Sequence, residues 1–300
     1  MAPIIRTCKA LSIIALLALG APAMAAQDAG DLFWLAQRQE LAGRSDEALK
    51  SYAKLLARSP DSEAAASNLL SAAVREGSFV DALAAVKAAR RAGQADTDAA
   101  LLIFADAFRR KKWSEAARAL ADLDAAGDFS FMVPMLKGWL NVAQGQDSGV
   151  AASLLQTSGL ATYYSDDQLI YFDLADGNAA QAKFRLRGFR GYDEPHGRFL
   201  AGHAMGEFSR AGDAEFASAL GRQIGLDPGN YATPPVTAEL GMAMLFARLG
   251  LALEEQRQPQ KGLYFARMAN WIAPSSDAAK LALAELLERQ DIDDKASALL

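Results

Sequence analysis

Residues recur along this chain at intervals of 34: Gly43, Gly77, Lys111 and Gly145 stand that far apart, and so do Ala48, Ala82 and Ala116. A fixed period of roughly 20 to 50 residues marks a stack of like supersecondary units, none of which can bury its apolar face alone. Here the local pattern makes each unit a pair of antiparallel helices. Alternating runs of β-branched residues are absent, so no sheet is expected. Proline supports the same division, because in a helix interior it costs about 3 kcal/mol. Pro60, Pro195, Pro228 and Pro274 fall between units, and Pro259 lies in a turn. Pro134 and Pro235 suit a first helical turn, where the missing N–H is harmless.

The first unit reads Leu32-Phe33-Trp34-Leu35-Ala36, then Gly43-Arg44-Ser45-Asp46-Glu47-Ala48-Leu49, then Tyr52 and Pro60. Ala36 and Ala48 lack bulk, which lets two helix backbones approach to about 8–10 Å. Gly43 tolerates the positive φ that ends many helices. Asp46 and Glu47 set negative charge at the positive end of the second helix. Unit two repeats the pattern with Gly77, Asp81-Ala82, Val86 and Ala89. Unit three does so with Lys111, Glu115-Ala116, Leu120 and Leu123, with Trp113 in the turn where unit two has Phe79. Unit four keeps Gly138 and Gly145 but has Val150 in place of the alanine. Units five and six keep Gly177 with Ala182 and Gly212 with Ala217, and the sixth closes on Leu226-Asp227-Pro228-Gly229-Asn230. An insertion of about eleven residues follows, judged against the period. A long helix is expected after Thr233-Pro234-Pro235, over about 236–256. Unit seven then shows Leu249-Gly250, Pro259, Ala269 and Pro274, and unit eight, from Asp277, shows Ala284 and Ala296.

This pattern resembles the tetratricopeptide repeat, and the resemblance covers nearly all of the chain after its leader. It implies an all-α, right-handed solenoid of antiparallel helix pairs, about seven units and a partial eighth. Residues 27–230 would form units one to six, and 231–300 the insertion with units seven and eight. Leu300 falls midway along the second helix of unit eight, and Ala298-Leu299-Leu300 is not a polar cap. A longer protein, or an end covered by a partner, is expected there.

Residues 1–25 read as an export signal. Arg6 and Lys9 precede an apolar stretch from Leu11 to Leu19, which is too short to span a bilayer, and Ala23-Met24-Ala25 is a small-x-small cleavage site. A periplasmic location follows, with cleavage after Ala25 or Ala26 and no stable membrane insertion afterwards. Losing Arg6 and Lys9, with no acid, moves the net charge from −5 to −7. That balance argues against nucleic acid as a partner, since such binding needs clustered bases. Cys8 is the only cysteine, so disulfides and cysteine-based metal sites are excluded from the mature chain.

Catalytic signatures are missing. The sequence has no phosphate loop, nucleophile elbow, His-Glu-x-x-His or dinucleotide glycine pattern, so no enzyme activity and no cofactor is expected. Its two histidines, His196 and His203, would share a helix face with Glu207 one turn further. Zinc takes such donors. However, Glu194-Pro195-His196-Gly197 puts His196 at a helix start, and the preferred reading is an ordinary helix-start and inter-helix pair. The segment from Lys183 to Arg190 interleaves bases with aromatics. In register, Leu186 and Phe189 would pack while the bases project to solvent. Glu254-Glu255 and Asp293-Asp294 fall on polar faces or in turns, with nothing to make them converge.

In the family resembled, the first helices of successive units line a concave groove. Counting along them, the inward row runs Phe33, Gln37, Ser67, Ser71, Leu101, Phe108, Met135, Trp139, Tyr164, Tyr171, Glu254, Glu285 and Glu288. Aromatics and Met suit a peptide groove, so Phe108, Met135, Trp139, Tyr164 and Tyr171 are the candidate partner-binding residues. Phe33 and Phe108 fit inter-unit packing equally well, and Trp34, Trp113 and Trp271 read as core or turn packing. The resemblance implies a periplasmic scaffold that holds a protein or peptide segment in its concave groove, in envelope-complex assembly, with no reaction expected. Two alternatives stay open. One is the α-superhelical arm of an enzyme such as a lytic transglycosylase, with its catalytic domain beyond residue 300. The other is a secretion or structural accessory that oligomerises.

Overall fold

The computed structural model describes residues 28–93, 97–149, 161–226 and 233–299. The leader expected at 1–25, Val150, the expected unit ending at Asp227-Pro228-Gly229-Asn230 and Leu300 lie outside the described residues. The fold is all-α, with no strand among the described residues. The chain divides into two compact units, Met1–Gln94 and Ala95–Leu300. The boundary falls inside what the 34-residue spacing presents as an unbroken run.

The first unit holds α1 (28–41), α2 (Ser45–Arg58), α3 (Glu63–Glu76) and α4 (Phe79–Arg91). Its core is Ala-rich, with Tyr52, Leu55, Leu56 and Leu69 buried among Ala36, Ala48, Ala65, Ala66 and Ala72. Small side chains on both partners allow close helix packing. The second unit starts with α5 (Thr97–Arg109), α6 (Trp113–Ala126), a 3-10 turn at Ser130–Met132 and α7 (Val133–Ala143). It continues with α8 (Ala161–Ala175), α9 (Ala179–Gly188), a second 3-10 turn at Gly191–Asp193, α10 (Pro195–Arg210) and α11 (Ala214–Ile224). Then come α12 (Ala238–Glu255), α13 (Pro259–Ile272), α14 (Asp277–Glu288) and α15 (Asp293–Ser297).

One turn recurs throughout. A left-handed residue stands at Gly43 (φ 72°), Gly77 (82°), Lys111 (56°), Gly145 (70°), Gly177 (72°), Gly212 (81°), Arg257 (59°) and Asp291 (58°). After each of these residues, the next N–H returns to a carbonyl five positions back, as in Arg44 to Gln39 (2.8 Å), Lys112 to Ala107 (2.8 Å) and Ile292 to Leu287 (2.9 Å). That bond closes the helix and reverses the chain within three residues. Lys111, Arg257 and Asp291 hold a conformation that costs an L-residue roughly 1–2 kcal/mol. The reversal is therefore fixed by the packing of the paired helices and not by glycine alone.

Five residues after the turn stands a small buried side chain: Ala48, Ala82, Ala116, Ala182, Ala217 and Ala296, each at most 1% exposed. In the α12–α13 pair the place belongs to Gly262, not an alanine. A Cβ there would lie 2.8 Å from the carbonyl oxygen of Gly250, and one on Gly250 would lie 2.9 Å from that of Gly262. The two backbones cross in contact. Ser62, Ser78, Asp213, Thr237 and Ser276 cap their helices by accepting an N–H three residues on, each worth about 1 kcal/mol.

In a strictly linear array each unit meets only its neighbours. The second unit departs from that rule. The step from Gly212 to Arg257 is 45 residues, eleven longer than the period, and α12 lies against α7 and α8 as well as α13 and α14. α13 reaches α5, where the Tyr264 hydroxyl donates to the Asp98 carbonyl at 2.7 Å. Phe265 sits between Phe129 (5.1 Å between centroids) and Phe246 (5.9 Å).

Candidate functional site

The inward row meets two different fates. In the first unit it is partly open. Ser67 and Ser71 on α3 are exposed, and Phe33 and Gln37 on α1 are half-buried. Trp34, expected to pack, is instead 66% exposed and meets Phe33 edge-on at 5.9 Å. Beneath this row a polar network fixes the helices: Gln37 Nε2 donates to the Tyr52 hydroxyl (2.8 Å), which donates to Glu40 (3.0 Å). Arg75 on α3 closes on Glu40 at 2.9 Å. Burial, reinforced by the Glu40 carboxylate, pushes Tyr52 up to about 12, so it stays a donor.

In the second unit the same row is covered. All five candidate residues are buried: Phe108, Met135, Trp139 and Tyr171 are at most 1% exposed, and Tyr164 is 9% exposed. None lines an open groove, which corrects the placement expected from the sequence. Phe108 packs between Phe104 (5.9 Å) and Trp113 (5.6 Å). Trp139 lies 4.2 Å from Phe172, and its ring fills the space above Gly241 of α12, where a Cβ would stand 2.1 Å from Cζ2. Tyr164 stacks on Phe131 at 5.7 Å and carries the Arg248 guanidinium at 5.1 Å. The physical reason for Trp139 and Tyr164 is the return of α12, which sets Gly241 and Arg248 against them, while Phe108 is enclosed by Phe104 and Trp113 and Tyr171 meets His203 of α10. At the far end Glu288 is exposed, Glu285 pairs with Arg289, and Glu254 keeps a buried Oε2 without a hydrogen-bond partner.

Under α12 lies a polar cluster. Asp167 on α8 accepts from Arg248 Nη1 at 2.6 Å, and the two side chains are 3% and 13% exposed. Burial pushes Asp167 up to about 6 against the opposing pull of Arg248. Gln168 accepts from Trp139 Nε1 at 2.7 Å, while its own Nε2 has no partner. Tyr171 and His203 Nδ1 stand 3.1 Å apart. Burial raises the Tyr171 pKa, with Asp167 adding to it, and holds His203 down at about 4. His196 is likewise held at about 4, by burial and then by Arg248, despite the Glu194 carboxylate 3.2 Å from its Nδ1. Glu194 is largely solvated, so its field is screened.

His196, His203 and Glu207 do not form a metal site, and no cluster of three potential ligands occurs among the described residues. In the Lys183–Arg190 segment, Leu186 is buried and Phe189 half-buried against Tyr192 (5.1 Å). Of the bases, Arg187 and Arg190 are exposed as expected, while Lys183 and Arg185 are half-buried, Lys183 paired with Asp213 and Arg185 with Asp173 at 2.7 Å. Phe184, by contrast, is 71% exposed.

Arg248, Asp167, Gln168 and Gly241 were not legible as a set. Arg248 carried a signal: it is a lone base inside Met242-Ala243-Met244-Leu245-Phe246-Ala247 and Leu249, a stretch that demands burial of whatever it contains.

No protein-family model matches the chain, and no curated protein matches it. No helix among the described residues is long and apolar enough to cross a membrane.

Proposed function

We propose that the chain is an exported, tetratricopeptide-like scaffold of the bacterial envelope that captures a protein or peptide segment on the inward row of its first unit. The observation that carries this reading is the contrast within one row. Ser67 and Ser71 are exposed and Phe33 and Gln37 half-buried, with Trp34 exposed beside them, whereas Phe108, Met135, Trp139, Tyr164 and Tyr171 of the second unit are buried. An aromatic beside hydroxyl and amide groups supplies both contact area and backbone-binding polarity. The recurring left-handed turn and small buried residue support the helical-repeat reading, because they hold paired helices in constant register. The periplasmic location rests on the leader at 1–25, and no reaction is proposed.

A photo-crosslinking residue at Ser71, compared with one at Glu285, tests it in intact cells. Capture from Ser71 alone, lost with Trp34→Ala at unchanged melting temperature, is the expected result. Equal capture at both positions, or none at Ser71, refutes it. Amino-terminal sequencing of the mature protein checks the export reading, which requires a start at Ala26 or Gln27.

A further inference from the structure

Helix α1 has two opposed faces. With about 100° of rotation per residue, Leu32, Ala36 and Gln39 fall on one side and meet the core, where Ala36 is fully buried. The other side carries Asp31, Trp34, Leu35, Arg38 and Leu41, all of them exposed. Trp34 is 66% and Leu41 87% exposed. Single apolar side chains on a surface are ordinary. Here three stand within about two turns of one helix, which is how a helix is patterned on a side that meets another.

The charges on this side single out what covers it. Asp31 and Arg38 bracket the Trp34-Leu35 pair, each three residues from its nearer member. Among the described residues neither enters an ion pair, whereas Arg44, Lys50 and Arg58 nearby all do. A twofold axis passing between Trp34 and Leu35 runs a second α1 antiparallel to the first. Asp31 then stands opposite Arg38 of the other copy, and the reciprocal pair forms at the other end of the contact. Trp34 and Leu35 of both copies lie between the two pairs. A twofold interface must be self-complementary in this sense. The chain as a whole is acidic, yet this face brings one charge of each sign to its own copy.

We propose that the exposed face of α1 pairs with α1 of a second copy of the chain, in a twofold antiparallel contact centred between Trp34 and Leu35. One helix from each copy makes an interface at the small end of the range for specific association. The dimer is therefore reversible and forms at micromolar concentration. It does not rest on capture at the inward row, whose Phe33 and Gln37 are turned away from the centre of this face.

Sedimentation of the purified chain, from low micromolar to near-millimolar concentration, tests the pairing in the wild type, in Asp31→Arg, in Arg38→Asp and in the double exchange. The wild type should pass from monomer to dimer. Each single exchange sets like charges opposite one another twice and should weaken association by about 10-fold, at surface-pair strengths near 1 kcal/mol. An equimolar mixture of the two single variants should pair again, because each supplies the sign the other lacks, and the double exchange should pair with itself. Both positions are exposed, so the thermal melt should be unchanged. In cells, a photo-crosslinking residue at Leu41 should give a product of twice the chain's mass. None of these variants alters Trp34 or Ser71, so capture there is read separately. A monomer at every concentration, a dimer indifferent to both exchanges, or a mixture that fails to pair overturns the proposal. So does a crosslink from Leu41 to a different protein or to residues 1–25 of the same chain.

Discussion

Trp139→Ala separates two accounts of the inward row. If Trp139 faced an open groove, removing its ring would weaken partner capture and leave stability untouched. The structure requires the reverse. The indole is fully buried, lies 4.2 Å from Phe172 and fills the space over Gly241. Deleting a buried Trp costs about 3–5 kcal/mol through lost transfer energy and the cavity left behind. Its Nε1 is also the donor to Gln168 Oε1, and Gln168 Nε2 has no partner. The variant therefore leaves a buried amide bare, at a further cost of about 1–3 kcal/mol. Relaxation of α12 into the space would recover part of this, so a net loss near 4 kcal/mol is expected. That approaches the whole stability of many domains. Urea unfolding, followed by far-UV circular dichroism, measures it as a lower midpoint at unchanged slope. A loss below about 1 kcal/mol would show that α12 does not cover this ring, and the account of the second unit would fail.

Gly241→Ala should destabilise by about 1–3 kcal/mol through overpacking against Trp139. Trp139→Phe in the same chain should return part of that loss, seen as a coupling energy in a double-mutant cycle. Lys111→Gly and Arg257→Gly remove left-handed strain and should each raise stability by up to about 1 kcal/mol in the same urea assay, since both sit at φ near 60°. Arg248→Met leaves Asp167 buried without its cation and should cost about 3 kcal/mol at pH 7.5. At pH 5.0 the loss should shrink, because the unpaired carboxyl then takes up a proton. An equal loss at both pH values would contradict the pairing.

The spacing of Gly43, Gly77, Lys111 and Gly145 made the helical pairs legible, because one backbone conformation recurs wherever the chain must reverse in the same way. Ala48, Ala82 and Ala116 marked the close helix crossings for the same reason. The placement of the row was not legible. Periodicity reports which face of a helix is apolar, and Trp139 reads alike whether a partner or α12 lies over it, as Tyr171 does for a partner or α10. Deciding between these needs contacts such as Arg248 with Asp167, 81 positions apart, or Tyr264 with Asp98, 166 apart. Trp34 failed in the opposite direction: its apolar neighbours suggested a core, yet among the described residues no element covers most of its ring.

The Tyr264–Asp98 bond sets a timetable for the nascent chain. Helix α5 leaves the ribosome with its aromatic face bare, and the segment that meets it arrives only after more than a hundred further residues have been made. Early helices can form locally, but their burial waits on late synthesis, which slows consolidation and lengthens exposure to misassembly. That delay keeps the second unit open until its last third has been made.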